Sequence, residues 1–279
     1  MNAIIGIDVG GSTTKIVGYY ENGSLIGRLK VEAADPLTSA YGALGNFVNE
    51  YKISLSQVKQ IVLTGVGSSL FKGDVYGIPA RKVDEFQAIG LGGLALSKKK
   101  EGLIVSMGTG TAFVRADKDG IRHIGGSGVG GGTVLGLCGQ LCNARSFETV
   151  VELAHAGSLK KVDLNISDIC AGDISTLAPD VTASNFGKMV DGCTSADLAR
   201  GVLNMVFQTI GMLAVFACRN HAVKDVILTG TLSTVPCAKT LFKQVERLYQ
   251  IKFIIPQHSI YATATGAALS YIYENGKKK

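Results

Sequence analysis

The chain has no Cys-x-x-Cys pair and no paired Cys/His spacing suited to zinc among its six cysteines, Cys138, Cys142, Cys170, Cys193, Cys218 and Cys237. Several fall inside apolar runs, where a free thiol behaves as a small hydrophobe, so the set reads as reduced thiols of a cytosolic protein. No Arg-rich or aromatic-interleaved stretch is present, so the net charge of +6, spread over 28 basic and 22 acidic residues, does not point to nucleic acid. The two basic runs, 98–100 and 277–279, read as solvated. A basic opening followed by an apolar stretch is missing, as is any run of 18 apolar residues. That excludes a signal peptide and a membrane span and leaves a soluble, cytoplasmic protein as the expectation. Neither G-x-x-x-x-G-K-[ST] nor a strand-G-x-G-x-x-G-helix unit with its following acid occurs in good form, which disfavours a P-loop or dinucleotide-binding enzyme.

Glycine, by contrast, is concentrated. Residues 125–139, GGSGVGGGTVLGLCG, hold eight glycines in fifteen positions just before a helix-like apolar run. A glycine inside a regular element costs roughly 0.5–1 kcal/mol relative to Ala. A chain that keeps so many in one place is using the backbone itself, and close approach to a ligand is the expected use.

The 279 residues, 46% of them apolar, can bury a core of one large or two ordinary domains. β-like runs alternate with helix-like ones, which gives an α/β class. AIIGIDVGGSTTKIVGYYENGSLIG (3–27) has a partner in GLIVSMGTGTAFVRADKDGIRHIGG (102–126). Each is a buried strand, a Gly-Thr/Ser turn, a second strand and a tight Asn22-Gly23 or Asp119-Gly120 turn, the hairpin signal of a type I′ turn. QIVLTGVGS (60–68) and DVILTGTLS (225–233) repeat a strand that ends in Thr-Gly. Two halves on one plan imply duplication with a cleft between them. The boundary falls at SKKKEG (97–102), giving a first lobe over 1–98 and a second over 99–279, with a last helix over 262–274 read as crossing back onto the first lobe.

Gly10, Gly11 and Ser12 follow a strand and leave several N–H groups to converge on one anion, and Gly108-Thr109-Gly110-Thr111 repeats the arrangement. Two such nests facing one polyphosphate account for the duplication. Asp8 ends the apolar run IIGID, where an acid needs a partner; a Mg²⁺ carried by ATP suits it, and turn capping is the alternative. Lys15 is within reach of the same turn as a point cation for phosphate, or is an ordinary exposed strand lysine.

GIDVGGSTTK (6–15), SMGTGT (106–111) and the Thr-Gly strand end at 229–230 resemble the sugar kinase, Hsp70 and actin superfamily. DEFQAIG (84–90), IGGSGVGGGTVLGL (124–137), DVTASNFGKM (180–189) and ATATGAALSYI (262–272) narrow the resemblance to the type II pantothenate kinases, in order from residue 4 to about 272. The resemblance implies a two-lobed, duplicated actin-like ATPase (ribonuclease H-like) fold with ATP in the cleft, a homodimer, and transfer of the γ-phosphate of ATP to the terminal hydroxyl of pantothenate, the first step toward coenzyme A. By this resemblance Glu85 is the general base, and Asp8 organises Mg²⁺ through water. Gly10, Gly11, Ser12 and Lys15 hold phosphates, and Gly108, Thr109 and Gly110 form the second nest. Gly130, Gly131 and Gly132 offer bare amides at a helix start, Gly230 lies near the adenosine, and Thr109, Arg122, His123 and Gly125 join Glu85 on the acceptor side. Taken alone, Glu85 also reads as a surface carboxylate favoured by a helix dipole.

Two departures fall on the acceptor side. The family's Arg before the glycine pair is His123 here, with Arg122 just before it, and Ala112 stands where the family tends to carry Ser. Neighbouring strand residues point to opposite faces, so Arg122 substitutes only if a bulge re-aims it. Three rival readings remain: another small-molecule kinase of the same superfamily, such as an N-acetylglucosamine-type enzyme; a dehydratase-activator ATPase, against which stands the lack of a cluster-binding Cys at 127–130; and a non-catalytic nucleotide-binding module. The apolar run 202–222 reads as a core or interface helix.

Overall fold

The computed structural model describes residues 1–32, 35–170 and 178–276. The first sheet is built from β1 (Ala3–Val9), β2 (Thr13–Tyr20), β3 (Leu25–Glu32), β4 (Val58–Thr64) and β5 (Ala80–Lys82), with α1 (Pro36–Glu50) before β4 and α2 (Glu85–Ser97) after β5. Its order is β3-β2-β1-β4-β5. β1, β2 and β3 are antiparallel neighbours, and β4 and β5 run parallel to β1. All seven residues of β1 are buried, as expected of a central strand covered on both faces.

The second stretch repeats the plan. β6 (Gly102–Met107), β7 (Thr111–Asp117) and β8 (Gly120–Ser127) form the antiparallel part, followed by α3 (Gly131–Leu141), α4 (Phe147–Ala156), β9 (Leu164–Asn165), α5 (Ile166–Ile169), β10 (Thr182–Ser184) and α6 (Ser195–His221). β11 (Asp225–Thr229), α7 (Pro236–Tyr249), β12 (Lys252–Ile254) and α8 (Ala262–Gly276) complete the chain. The sheet order, β12-β11-β6-β7-β8, is that of the first sheet read from the other edge. Two mixed five-stranded sheets on one topology give the two-lobed α/β fold that the internal repeat predicts. In both hairpins only the glycine, Gly23 or Gly120, takes positive φ. A type I′ turn needs two such residues, so the hairpins form as expected but on a different turn.

Helices cover the sheets crosswise. α2, which follows the first sheet, packs through Phe86, Ile89 and Leu94 on Ile104, Val114, Ala116 and Ile227 of the second. α8, which follows the second, packs through Ala267 and Ala268 on Ile4 and Val62 of the first. The two helices touch at reciprocal glycines: a Cβ on Gly92 would strike the Ala262 carbonyl, and one on Gly266 the Ala88 carbonyl. This pair lies between the sheets and fixes one against the other. α1 covers the outer face of the first sheet, and α3, α4, α6 and α7 that of the second. α6 is long and apolar enough to cross a membrane by length and composition, but most of it is buried in this second core. Cys138 and Cys218 are buried there too, and burial pushes both thiols up to about 12.

Candidate active site

The β1–β2 turn of the first sheet and the β6–β7 turn of the second open on one cleft of about 980 Å³. In the first, the Gly10 N–H donates to the Thr13 carbonyl (3.2 Å); in the second, the Gly108 N–H donates to the Gly110 carbonyl (2.9 Å). Among the described residues the amides of Gly11, Ser12, Thr109 and Gly110 have no acceptor. All of these residues line the cleft. Unengaged N–H groups at a turn form a concavity for an anion, and here two such concavities face one space.

Charge enters from the first sheet. Asp8, at the end of β1, pairs with Lys15 across the β1–β2 ladder, Nζ to Oδ2 3.8 Å, with both side chains nearly buried. Burial raises the Asp8 pKa above the usual carboxylate value, and Lys15 offsets part of that rise. Glu85 opens α2 just after its cap, Asp84, whose carboxylate accepts from the Gln87 N–H at 3.0 Å. Burial raises the Glu85 pKa, Asp8 and Asp84 add to the rise, and Lys15 opposes it. A half-buried carboxyl held above its ordinary range, beside a second carboxylate and a lysine, has the properties of a proton acceptor tuned toward neutral pH.

The glycine-rich stretch has a different use from the one its sequence suggests. The Gly131 N–H donates to the Gly108 carbonyl (2.8 Å), the Gly132 N–H to the Thr109 carbonyl (2.9 Å) and the Gly130 N–H to Thr133 Oγ1 (3.1 Å). The three amides are therefore engaged inside the protein. A Cβ on Gly130 would lie 2.6 Å from the Thr109 carbonyl oxygen and 2.7 Å from the Gly110 Cα. The glycines let the start of α3 sit directly on the second nest and brace it. Gly131 and Gly132 still line the cleft, whereas Gly130 is packed behind the turn. Gly230, at φ +84° after β11, lines the cleft with Thr231 and Leu232.

On the β8 side the register slips between Phe113 and Val114, so that His123 faces Val114, Gly125 faces Phe113 and Ile124 is the extra residue of a bulge. The bulge does not turn Arg122 inward. Its side chain is more than half exposed, its guanidinium lies 3.8 Å from Asp117, and neither Arg122 nor Gly125 lines the cleft. His123 does, stacked on Phe86 with ring centroids 3.8 Å apart and planes at 11°. Gln87 Nε2 donates to the Ile121 carbonyl (3.1 Å), so β8 holds the first turn of α2, where Glu85 sits, at two points. Ala112 also lines the cleft.

Other cleft residues carry weaker sequence signals. Lys30 and Glu32 enter from β3, an ion pair at 3.0 Å; their alternation marks a strand face, but only the strand register shows which. Arg145 and Phe147 enter at the start of α4, far in sequence from either nest. The ASNFG segment is not at the cleft. Buried Asp163 accepts from Asn204 Nδ2 (2.6 Å), the Phe186 N–H (2.9 Å) and Asn185 Nδ2 (3.3 Å), which ties that loop to α6.

Residues 98–270 match the profile of the Fumble family. A type II pantothenate kinase of Bacillus anthracis is 30% identical over 241 residues, which are 83% of each chain. Among solved structures, the (R)-2-hydroxyglutaryl-CoA dehydratase component A of Acidaminococcus fermentans superposes with a TM-score of 0.68 at 16% identity, over 99% of this chain and 100% of that one. A ROK family protein of Streptococcus pneumoniae, in complex with sucrose, superposes with a TM-score of 0.63 at 12% identity, over 99% of both chains. At such identities the two superpositions show a shared fold.

Proposed function

The chain belongs to the Fumble family, the type II pantothenate kinases, and on that premise we propose that it transfers the γ-phosphate of ATP to the terminal primary hydroxyl of pantothenate. One observation carries the catalytic reading: Asp8, Lys15 and Glu85 meet in the cleft onto which both unengaged amide nests open. The amides of Gly11, Ser12, Thr109 and Gly110 hold the phosphate oxygens, and Lys15 neutralises charge beside them. Gly230, Thr231 and Leu232 form a wall for the adenosine. Glu85 takes the proton of the acceptor hydroxyl as its oxygen bonds to the γ-phosphorus; the bond from that phosphorus to the β–γ bridging oxygen breaks, and ADP leaves.

Among the described residues no group of three His, Cys, Asp or Glu side chains could hold a metal. Asp8 alone, half-neutralised by Lys15, suits a Mg²⁺ that arrives on the nucleotide and keeps most of its waters. Bound so, the ion would withdraw charge from the phosphate oxygens. A homodimer is part of the same proposal, with Leu213 and Phe216 exposed on α6; light scattering in solution checks it.

The test is an ATP-consumption assay with pantothenate beside N-acetylglucosamine and other hydroxyl acceptors. Turnover with pantothenate and loss of transfer in Glu85→Gln, with ATP binding kept, are the expected results. Turnover with a different acceptor alone would reassign the substrate, and the stacked His123 in place of the family's Arg is the first place to look. Near-normal turnover in Glu85→Gln would remove it from the base role.

A further inference from the structure

Lys15 and Lys30 are direct partners across the β2–β3 ladder, and both line the cleft. Like charges directly opposite one another on a sheet face destabilise it; here Asp8 beside Lys15 and Glu32 beside Lys30 offset the repulsion, and two cations with local counter-charges are aimed at one space that suits a larger anion. Continuing the same row, Lys15 opposes Asp8 and Asp8 opposes Thr64, so the sheet presents Lys30, Lys15, Asp8 and Thr64 side by side on one face. Glu32, the next cleft-facing residue of β3, is the partner of Thr13 at the edge of the first nest, and its carboxylate is the present partner of the Lys30 ammonium.

We propose that Lys30 is a nucleotide-binding residue, a second cation that grips the leaving, diphosphate side of the nucleotide while Lys15 serves the transferred phosphoryl group. The assignment rests on the kinase reading above. Strands are spaced by about 4.8 Å, which puts the Lys30 Cα roughly 10 Å from that of Asp8, and a lysine side chain spans the remaining gap to a phosphate adjoining the one at Lys15. Direction follows from the base. Glu85 opens α2 directly after β5, at one edge of the sheet, whereas Lys30 stands on β3 at the other edge, one strand beyond Lys15 in the row. In an in-line displacement the acceptor oxygen and the leaving oxygen lie on opposite sides of the phosphorus. With the acceptor at Glu85, the strand beyond Lys15 belongs to the leaving side. A cation there stabilises the charge that accumulates on the departing diphosphate, and it exchanges Glu32 for phosphate when nucleotide enters.

The experiment is calorimetric titration of the full chain with ATP, ADP and AMP, beside steady-state kinetics, for Lys30→Gln, Lys30→Arg and Glu32→Gln. Lys30→Gln is expected to weaken ADP and ATP roughly five- to tenfold, the scale of one partly screened charge-assisted hydrogen bond. It should leave AMP binding and the acceptor KM within about twofold and the melting temperature unchanged, with Lys30→Arg restoring most of the loss. Glu32→Gln should keep or tighten ADP binding. Unchanged ADP affinity in Lys30→Gln, an equal loss for AMP, or a raised acceptor KM with nucleotide binding intact would each overturn the assignment, the last by moving Lys30 to the acceptor. Nucleotide titration needs no acceptor, so a failure of the pantothenate reading shows in the unmodified chain and leaves this result separate.

Discussion

The two lobes align strand for strand, and the comparison shows what duplication kept and what it divided. In the first sheet Asp8 sits between Lys15 and Thr64; in the second, Ser106 sits between Ala112 and Thr229. The strand ends are the same: Gly65 and Gly230 both adopt φ +84°, and a Cβ on either would strike the backbone at the end of the neighbouring strand, Val9 in one lobe and Met107 in the other. The scaffold and the backbone nests are shared, but the ionisable side chains of the row belong to the first lobe alone. The second lobe contributes a neutral nest stiffened from behind by α3. On the proposed function, one copy handles protons and charge and the other holds an anion by backbone.

Erasing the charge difference is the strongest way to break that comparison. Asp8→Ser gives the first lobe the residue its twin carries, and kcat is expected to fall roughly 10²- to 10³-fold, the scale of losing one preorganised electrostatic group, while ADP binding, read by calorimetry, changes little because both nests remain. Turnover close to that of the unmodified chain would mean that the lobes are interchangeable at this position. A smaller effect separates the nests by their support. Gly130 has an extended φ of −176° that any residue adopts, so Gly130→Ala is purely a matter of space, and its methyl meets backbone at 2.6 Å. Overpacking of that kind should lower the melting temperature by roughly 3–10 °C. Gly11→Ala, in the first nest, meets nothing within 4 Å and should leave the melting temperature within about 2 °C. Equal effects at the two positions would remove the bracing role of α3.

The same contrast explains what could be read from residues alone. The repeated strand-turn-strand segments made the two sheets legible, because hairpin and strand signals are local and occur twice. Asp8, Ser12, Lys15 and Thr109 stand in those segments, Glu85 stands apart from them in DEFQAIG (84–90), and the cleft gathers all five. Contacts through space were less accessible. Glycines 130–132 suggested bare amides, yet their N–H groups are spent on the turn at 108–110 and on Thr133, a closure that spacing does not encode. Arg122 and His123 differ by one position, and only the bulge at Ile124 and the Asp117 carboxylate decide that His123 faces the cleft. Lys30 becomes visible once β2 and β3 are in register, and the crosswise packing of α2 and α8 depends on glycine pairs 174 residues apart, Gly92 and Gly266.

The smallest expected effect sharpens the comparison at Glu85, a further carboxyl that the first lobe brings to the cleft beside Asp8 and Glu32. Its pKa is raised in the folded state, with burial as the main cause. Between the unfolded and folded values the unfolded chain has already lost this proton while the native one keeps it, so stability falls as pH rises through that window. The ionised group therefore weighs against folding at neutral pH and is without effect below the ordinary glutamate pKa, where both states are protonated. Glu85→Gln should accordingly lose transfer and gain stability: about 1–3 °C in melting temperature at pH 7–8, shrinking toward zero near pH 4. In the unmodified chain kcat/KM should rise with pH through a value above that of a free glutamate, as a base that must first ionise requires. Scanning calorimetry across that pH range distinguishes the cases. A Gln variant that melts lower at pH 7 would mean that the carboxylate stabilises the first turn of α2, and that its position owes more to the helix dipole than to the reaction.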